Sequence, residues 1–473
     1  MLWSDAERRN DGKRKTEVRV LLLSHTTGYQ LRAFNDAAEK LGVDLVFATD
    51  RCDKLDDPWQ DRAVAVRFHA LNESVHAIVE RHLRQPVDGV IAVGDRPVIL
   101  AARSAAALGL PFHSVSGAVA SADKRRSRAA LAAAGLPAPS FSVFSAAASD
   151  HLGPPTSDLR PASPDRRPPT AVRRPAPHDL RFPVVLKPVG LSGSRGVIRA
   201  NDAEEFAAAF ERIRALLART DIRAARTGLE DQIVIERYID GREFAIEGVV
   251  TRGLLSVFAI FDKPDPLDGP FFEETIYVTP SSLDGNQQAR LIDHVARGAQ
   301  AVGLSHGPIH AECRMTADGR IYVLEIAGRP IGGLCSHVLT LQRPGLSKVP
   351  ASQRDDRQSA SLEEVLLRHA VGEPIGQWAR EAAAAAVMMI PIPARGILKA
   401  VSGEDAARRV SGVTGVRVTA KIGQLLELLP EAGSYLGFIF ARGDSAPDAE
   451  RAVRDAHGRL TFEIARDIAV GRV

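Results

Sequence analysis

The stretch "VVLKPVGLSGSRGV", residues 184–197, joins an apolar run to a loop of small residues. Val184, Val185 and Leu186 read as a buried strand, yet the run ends in Lys187 and Pro188. Gly190, Ser192, Gly193, Ser194 and Gly196 follow at once. A lysine is a mobile point charge suited to phosphate oxygens. A loop poor in Cβ atoms lets backbone N–H groups come close to a polyphosphate. Taken singly, the two features are a surface charge and an ordinary loop. Their meaning depends on what the rest of the chain sets around them.

Upstream, residues 17–120 alternate strand and helix patterns. "VRVLLLS" (18–24), "VDLVFATD" (43–50) and "DGVIAVGD" (88–95) are apolar strands. "QLRAFNDAAEKLG" and "PVILAARSAAALG" carry helical spacing, and "LPFHSV" reads as a further short strand. Strands separated by helices imply βαβ units and a parallel sheet. "HTTGYQ" follows the first strand, so the glycine fingerprint of a dinucleotide site is missing there. "SADKRRSRAALAAAGLPAPSFSVF" (121–144) predicts a helix capped by Ser121 and stopped by Gly135 and Pro137, then a strand.

Downstream, "DAEEFAAAFERIRALLART" and "LIDHVARGAQAVGL" predict helices. "QIVIERYIDGREFAIEGVVTRGLLSVFAIFDK" supplies two or three strands, and "GPIHAECRMTADGRIYVLEI" a hairpin about Asp318-Gly319. From about residue 380 the pattern changes to a small α+β unit. The hairpin sets Glu312 against Glu325 in apolar surroundings. Two unpaired buried carboxylates repel, and a shared Mg²⁺, which takes oxygen ligands, is the simple remedy.

Composition bounds the answer. The chain has 473 residues, 45% hydrophobic and 25% charged, as in ordinary globular proteins of several domains. No apolar run reaches the ~20 residues a membrane helix needs, and the charged N-terminus predicts no signal peptide. Three cysteines, Cys52, Cys313 and Cys335, show no metal spacing and argue against a disulfide framework, so a reducing cytoplasm is expected. Residues 151–181 hold eight prolines, six arginines and three aspartates, which accounts for the whole net charge of +3. Such a segment buries too little to fold, and the insertion 145–181 is expected to be disordered.

These features in this order resemble the ATP-grasp superfamily of carboxylate–amine ligases, over roughly residues 18–470. Within it, "EIAGRPIGGLC" (325–335), "SLEEVLLRHAVG" (361–372) and "MMIPIPARGILKAVSG…GSYLGFIFARG" look like the L-amino acid (dipeptide) ligase branch. The resemblance implies a disordered N-terminus (1–16), an N-terminal parallel βαβ domain (17–120), a two-lobed ATP-grasp domain (121–380) and a C-terminal α+β domain (381–473). It also implies ATP and Mg²⁺, with Mn²⁺ as an alternative. Lys124 and Lys187 would meet the nucleotide phosphates, and the loop with Ser192, Gly193, Ser194 and Gly196 would close over them. Main-chain groups at Glu236 and Ile239 would take adenine and Glu243 the ribose. Glu312 and Glu325 would hold the metal. Arg329 and Lys187 would act on the transferred phosphate, and Glu274 on the substrate side. The partners would be small-molecule carboxylates and amines, amino acids above all, with no nucleic acid or membrane; a homodimer is a candidate assembly.

The sequence departs from that pattern at two points. Ala327 stands where a metal-binding asparagine is common, and Tyr277 where some relatives carry histidine. His25, His310 and His337 read as packing or pocket-wall residues, and Cys313 and Cys335 as small buried ones. Two rivals remain open: a carboxylase activating bicarbonate, and an ATP-binding regulatory module without catalysis.

Overall fold

The computed structural model describes residues 18–25, 29–50, 63–146, 180–343 and 359–466. The expected disordered N-terminus, nearly all of the insertion 145–181 and Cys52 lie outside the described residues.

The N-terminal unit is a four-stranded parallel sheet in the order Ala63–Ala65, Asp44–Thr49, Arg19–Ser24, Gly89–Val93. Helices Tyr29–Leu41, Leu71–Arg84 and Asp95–Leu108 accompany it. The strand Ala63–Ala65 and the helix Leu71–Arg84 were not expected. "LPFHSV" is not a strand: Ser114 caps a short helix, Val115–Ser121, its side chain accepting from the Gly117 N–H. Ser121 therefore ends a helix, and Asp123 caps the next, Lys124–Ala133, by accepting from the N–H groups of Arg125 and Arg126. The cap fixes Lys124 as the first residue of that helix.

Phe141–Ser145, Gln232–Arg237, Val184–Pro188 and Ile198–Ala200 form a small antiparallel sheet in that order. Helix Ala203–Leu217 lays Phe206, Phe210 and Ile213 on it. The largest sheet has eight antiparallel strands: Ile321–Ala327, Gly307–Met315, Arg242–Thr251, Leu254–Asp262, Ile276–Thr279, Ala384–Ile390, Gly437–Gly443 and Val413–Val418. Three of these come from the C-terminal segment, so that segment shares its main sheet with the central one. Its own sheet, Leu425–Leu426, Gly396–Ser402, Thr461–Ala465, is smaller.

Helix Gly285–Val302 shows how the sequence builds this frame. Asp284 and Gln287 make a reciprocal capping box, and Gly303 ends the helix at φ +93°. Leu291, Val295, Ala299 and Val302 recur at helical spacing and are buried against the sheet. Truncating a core leucine such as Leu291 costs ~2–5 kcal/mol. A second core joins Val20, Leu22 and Phe34 of the N-terminal unit to Phe261, Val387 and Phe438 of the large sheet. The three units thereby enclose a cleft between the small sheet and the large one.

Candidate active site

That cleft is a cavity of about 490 Å³. On its small-sheet side, Lys187 places its ammonium 2.8 Å from the Glu236 carboxylate. Arg128 lies 2.8 Å from the other Glu236 oxygen, and both Arg128 and Glu236 are 1% exposed. Burial pushes the Glu236 carboxyl up, but Arg128 and then Lys187 outweigh it and bring it down to about 2. Lys124 donates to the Leu191 carbonyl at 2.6 Å, anchoring the small-residue loop. Ser192, Gly193 and Ser194 line the cavity; Gly196 does not. Gly196 sits at φ +76° with its N–H on the Pro430 carbonyl, and a Cβ there would lie 2.5 Å from Pro188. Its part is to turn the backbone. Arg195 donates to the Glu431 carbonyl (2.8 Å) and pairs with Asp221 (2.7 Å), so the loop rests on the C-terminal segment. Glu236 and Ile239 line the wall, but the Ile239 carbonyl accepts from Arg314 at 2.7 Å, leaving that oxygen partly engaged.

The large sheet supplies the acidic side. Glu312 and Glu325 are paired across the hairpin, with a bulge directly after Glu312. The unexpected residue is Lys263, just beyond strand Leu254–Asp262. It is 2% exposed and its ammonium donates to Glu243 (2.8 Å), Glu274 (2.6 Å) and Glu312 (2.9 Å). Burial opposes its charge, but the three carboxylates hold its pKa well above the usual lysine range. Carboxylate oxygens of Glu243, Glu274 and Glu312 lie within 4.8 Å of one another. Lys263 is a shared cationic partner for all three, and Arg314 a second one for Glu243, so the trio's existence does not by itself call for a metal. Glu243 also accepts from Arg314 at 2.8 Å, and Tyr277 donates its hydroxyl to Glu274 at 2.8 Å. Burial and the nearby Glu312 charge raise the Glu274 carboxyl to about 7. Burial acts on Glu312 too, but Lys263 and His310 hold it well below the carboxylate range.

Arg329 lines the cavity and donates to Asp95 of the N-terminal unit at 2.6 and 3.3 Å. Asp95 is held down against its burial by Arg329 and by a hydrogen bond from Ser192, so it touches the phosphate-side loop as well. Glu325 lines the same cavity, and its side chain makes no ion pair or hydrogen bond among the described residues. Glu312 stands across the strand pair, and the oxygens of the two carboxylates are of the donor type a hard cation such as Mg²⁺ takes. Ala327 is buried opposite His310 and offers no ligand atom. Beyond Glu274 the wall is apolar, with Tyr277, Cys335, Met389, Tyr435 and Phe438. Burial raises the Cys313 and Cys335 thiols above their usual range, which suits packing rather than nucleophilic attack. His310 does line the cavity, while His337 is an exposed ring stacked on Phe440.

Three family profiles match in chain order: the ATP-grasp N-terminal domain over residues 35–112, the ATP-grasp domain over 180–338, and the L-amino acid ligase C-terminal domain 2 over 388–465. The chain carries an ATP-grasp domain. Part of the chain is similar to D-alanine–D-alanine ligase of Aromatoleum aromaticum, 31% identical over 163 residues, which is 34% of this chain and 48% of that protein. Alanine–anticapsin ligase of Bacillus subtilis is 25% identical over 33% of this chain and 34% of its own length. Dapdiamide A synthase of Enterobacter agglomerans is 25% identical over 56% and 58%. The chain thus spans about half the length, or less, of the first two relatives. In fold, the chain resembles the L-amino acid ligase from Bacillus licheniformis, with a TM-score of 0.70, 22% identity, and 96% of this chain and 100% of that one covered. N5-carboxyaminoimidazole ribonucleotide synthetase from Thermotoga maritima shares the fold at TM-score 0.62 and 13% identity, over 95% and 100%. Among the described residues no helix is long and apolar enough to cross a membrane.

Proposed function

We propose that this ATP-grasp protein is an ADP-forming carboxylate–amine ligase that joins two amino-acid-like substrates through an acyl phosphate. The observation that carries the reading is one cavity shared by a basic wall and an acidic one. Lys124, Lys187 and the 190–196 loop stand on one side; Glu312, Glu325, Glu274 and Arg329 stand on the other. A carboxylate is a poor acyl donor until an oxygen is phosphorylated.

In this reading Lys124 and Lys187 bind the nucleotide phosphates, and the loop seated on residues 430–433 excludes water from them. Glu236, Ile239 and Glu243 border the nucleoside. Glu312 and Glu325 hold Mg²⁺ or Mn²⁺, which when bound offsets phosphate charge. Arg329, oriented by Asp95, stabilises the charge that develops on the acyl-phosphate oxygens. The oxygens of Glu274 accept from Lys263 and Tyr277 and keep lone pairs for a substrate ammonium. An amine then displaces phosphate, and the amide, ADP and phosphate leave. Amino acids, as small-molecule carboxylate and amine, are the partners in this reading, and the ATP-rich cytoplasm is the location.

The match of residues 388–465 to an L-amino acid ligase C-terminal profile favours an amine over bicarbonate as the second substrate. The test is ADP formation with ATP and Mg²⁺ across single and paired amino acids, with and without bicarbonate. Amino-acid-dependent ADP is expected. Glu274→Ala removes a charge-assisted hydrogen bond of about 1.5–3 kcal/mol, raising KM for an amino acid roughly tenfold to a hundredfold with nucleotide affinity unchanged. ADP made only with bicarbonate overturns the reading in favour of a carboxylase, and ATP binding without any turnover in favour of a regulatory module.

A further inference from the structure

Glu247 has no place in the chemistry above, yet it is a fully buried carboxylate, 0% exposed, in the middle of strand Arg242–Thr251. Burying a charge is costly unless its oxygens are satisfied. Both Glu247 oxygens accept from the Ile331 N–H, at 3.2 and 3.1 Å. One of them also accepts from His310 Nδ1 at 3.2 Å, its cross-strand neighbour in register. The other face of the same His310 ring lies on the cavity wall, with Nε2 3.8 Å from Glu312. On its far side the Ile331 peptide is held again, its carbonyl accepting from Gln30 of helix Tyr29–Leu41 at 3.1 Å.

Ile331 is the centre of the turn that runs from Arg329 to Gly333. That turn has no regular backbone ladder of its own. Its position is set from three directions: by Asp95 on Arg329, by Gln30 on the Ile331 carbonyl, and by Glu247 on the Ile331 N–H. The turn continues strand Ile321–Ala327, which pairs with the strand of Glu312, and Glu247 is the side chain that ties it to the next strand, the one that carries Glu243. A plain Glu–His ion pair in a core would need no third contact to a loop amide. A buried carboxylate that spends both oxygens on one backbone N–H fixes a peptide plane.

We propose that Glu247, assisted by His310, is a positioning residue that sets the Arg329–Gly333 turn against the carboxylate wall, so that Arg329 and the turn amides meet the phosphoryl group and the substrate carboxylate. The role rests on the ligase reading for its substrate, but the anion subsite it positions is testable without it. Glu247 touches neither substrate; it acts through the turn.

The test compares Glu247→Gln and Gln30→Ala with the wild-type protein. Inorganic phosphate is titrated calorimetrically against protein saturated with ADP and Mg²⁺, and ADP affinity is measured separately. Glu247→Gln keeps the shape and one acceptor, and weakens phosphate binding about tenfold, because the turn loses a charge-assisted hydrogen bond that holds Arg329 and the turn amides in place. Gln30→Ala weakens it by a smaller factor in the same direction, and removes no buried charge. ADP affinity stays within about twofold in both, whereas a general loosening of the structure would lower both affinities together. Where a substrate pair supports turnover, KM for the carboxylate substrate rises while KM for ATP does not. Unchanged phosphate affinity in folded Glu247→Gln overturns the proposal, as does a parallel loss of ADP affinity or the absence of saturable phosphate binding by the wild type. If Glu247→Gln fails to fold, Gln30→Ala decides, and unchanged phosphate affinity there overturns it. A wild type that binds phosphate with ADP but turns over no amino acid defeats the ligase reading and leaves the phosphate titration to judge Glu247.

Discussion

Replacing Lys263 by Met removes a buried ammonium and keeps most of its volume. Three carboxylates within 2.6–2.9 Å then lose their common partner. Breaking a buried ion pair from one side costs ~3–5 kcal/mol. The three contacts do not add, because the carboxylates relieve themselves by taking up protons. That relief fixes the pH dependence. Without Lys263, burial and mutual repulsion raise the Glu274 and Glu312 carboxyls above their unfolded values. A group raised in the folded state contributes stability that is present below its unfolded pKa and lost as pH rises through the folded one. The destabilisation of Lys263→Met is therefore smallest near pH 5 and approaches the full ~3–5 kcal/mol by pH 8. Urea unfolding of wild type and variant at the two pH values measures it. A loss below about 1 kcal/mol at pH 8, under the range for a broken buried pair, refutes the claim that Lys263 is the trio's common stabilising partner. So does a loss that is the same at both pH values.

Glu325→Gln removes half of the proposed metal pair without touching the Lys263 cluster; ADP formation falls by orders of magnitude while the melting temperature holds, and near-normal turnover in a folded variant excludes the assignment. His369, stacked on His306 at 4.3 Å, and His113 are depressed to about 3 and about 4, by burial first and then by neighbouring histidines. The unfolded chain binds more protons at these positions below pH 6.5, so each contributes stability at pH 7 that is lost on acidification, about 2 kcal/mol by pH 5. His310, raised to about 9, and Glu274, raised to about 7, slope the other way. The check is thus a difference: His369→Asn should flatten the fall in stability between pH 7 and pH 5 by about 2 kcal/mol relative to wild type, that histidine's share by linkage, and equal slopes would count against it.

The parts of this site that were legible in the sequence are those whose geometry is local. Strand Val184–Pro188 announces itself by an apolar run, and the loop after it by glycine and serine. The Asp318-Gly319 turn sets two strands against each other, but its register alone would place Glu312 opposite Leu324; the bulge directly after Glu312 shifts the pairing by one residue and brings Glu325 across from it. Errors arose where two local signals competed. Ser121 and Asp123 are both good caps two residues apart, and the structure uses Ser121 to end one helix and Asp123 to start the next. Phe112 and Val115 look strand-like, but Ser114 between them caps a helix.

Lys263 was hidden for a different reason. In "FDKPDP" it has the look of a turn residue, and its partners stand 20, 11 and 49 positions away. Asp95 reaches Arg329 across 234 positions. Pattern within a strand reports only which residues share a face, not what that face meets. Glu243, Ala245 and Glu247 share one face of "REFAIEGVV", with Phe244 and Ile246 on the other. For an edge or half-solvated strand that alternation means charges toward water. Here the strand lies third in a sheet of eight, paired on both sides, and its acidic face is roofed by the Ile331 turn and by Lys263. The same two glutamates are then buried, and each must find a cation or an N–H. One found Lys263 and Arg314 beside the cavity; the other found His310 and a backbone amide behind it. The alternation fixed which face was acidic, while the strand's rank in the sheet turned that face from a solvated surface into a site.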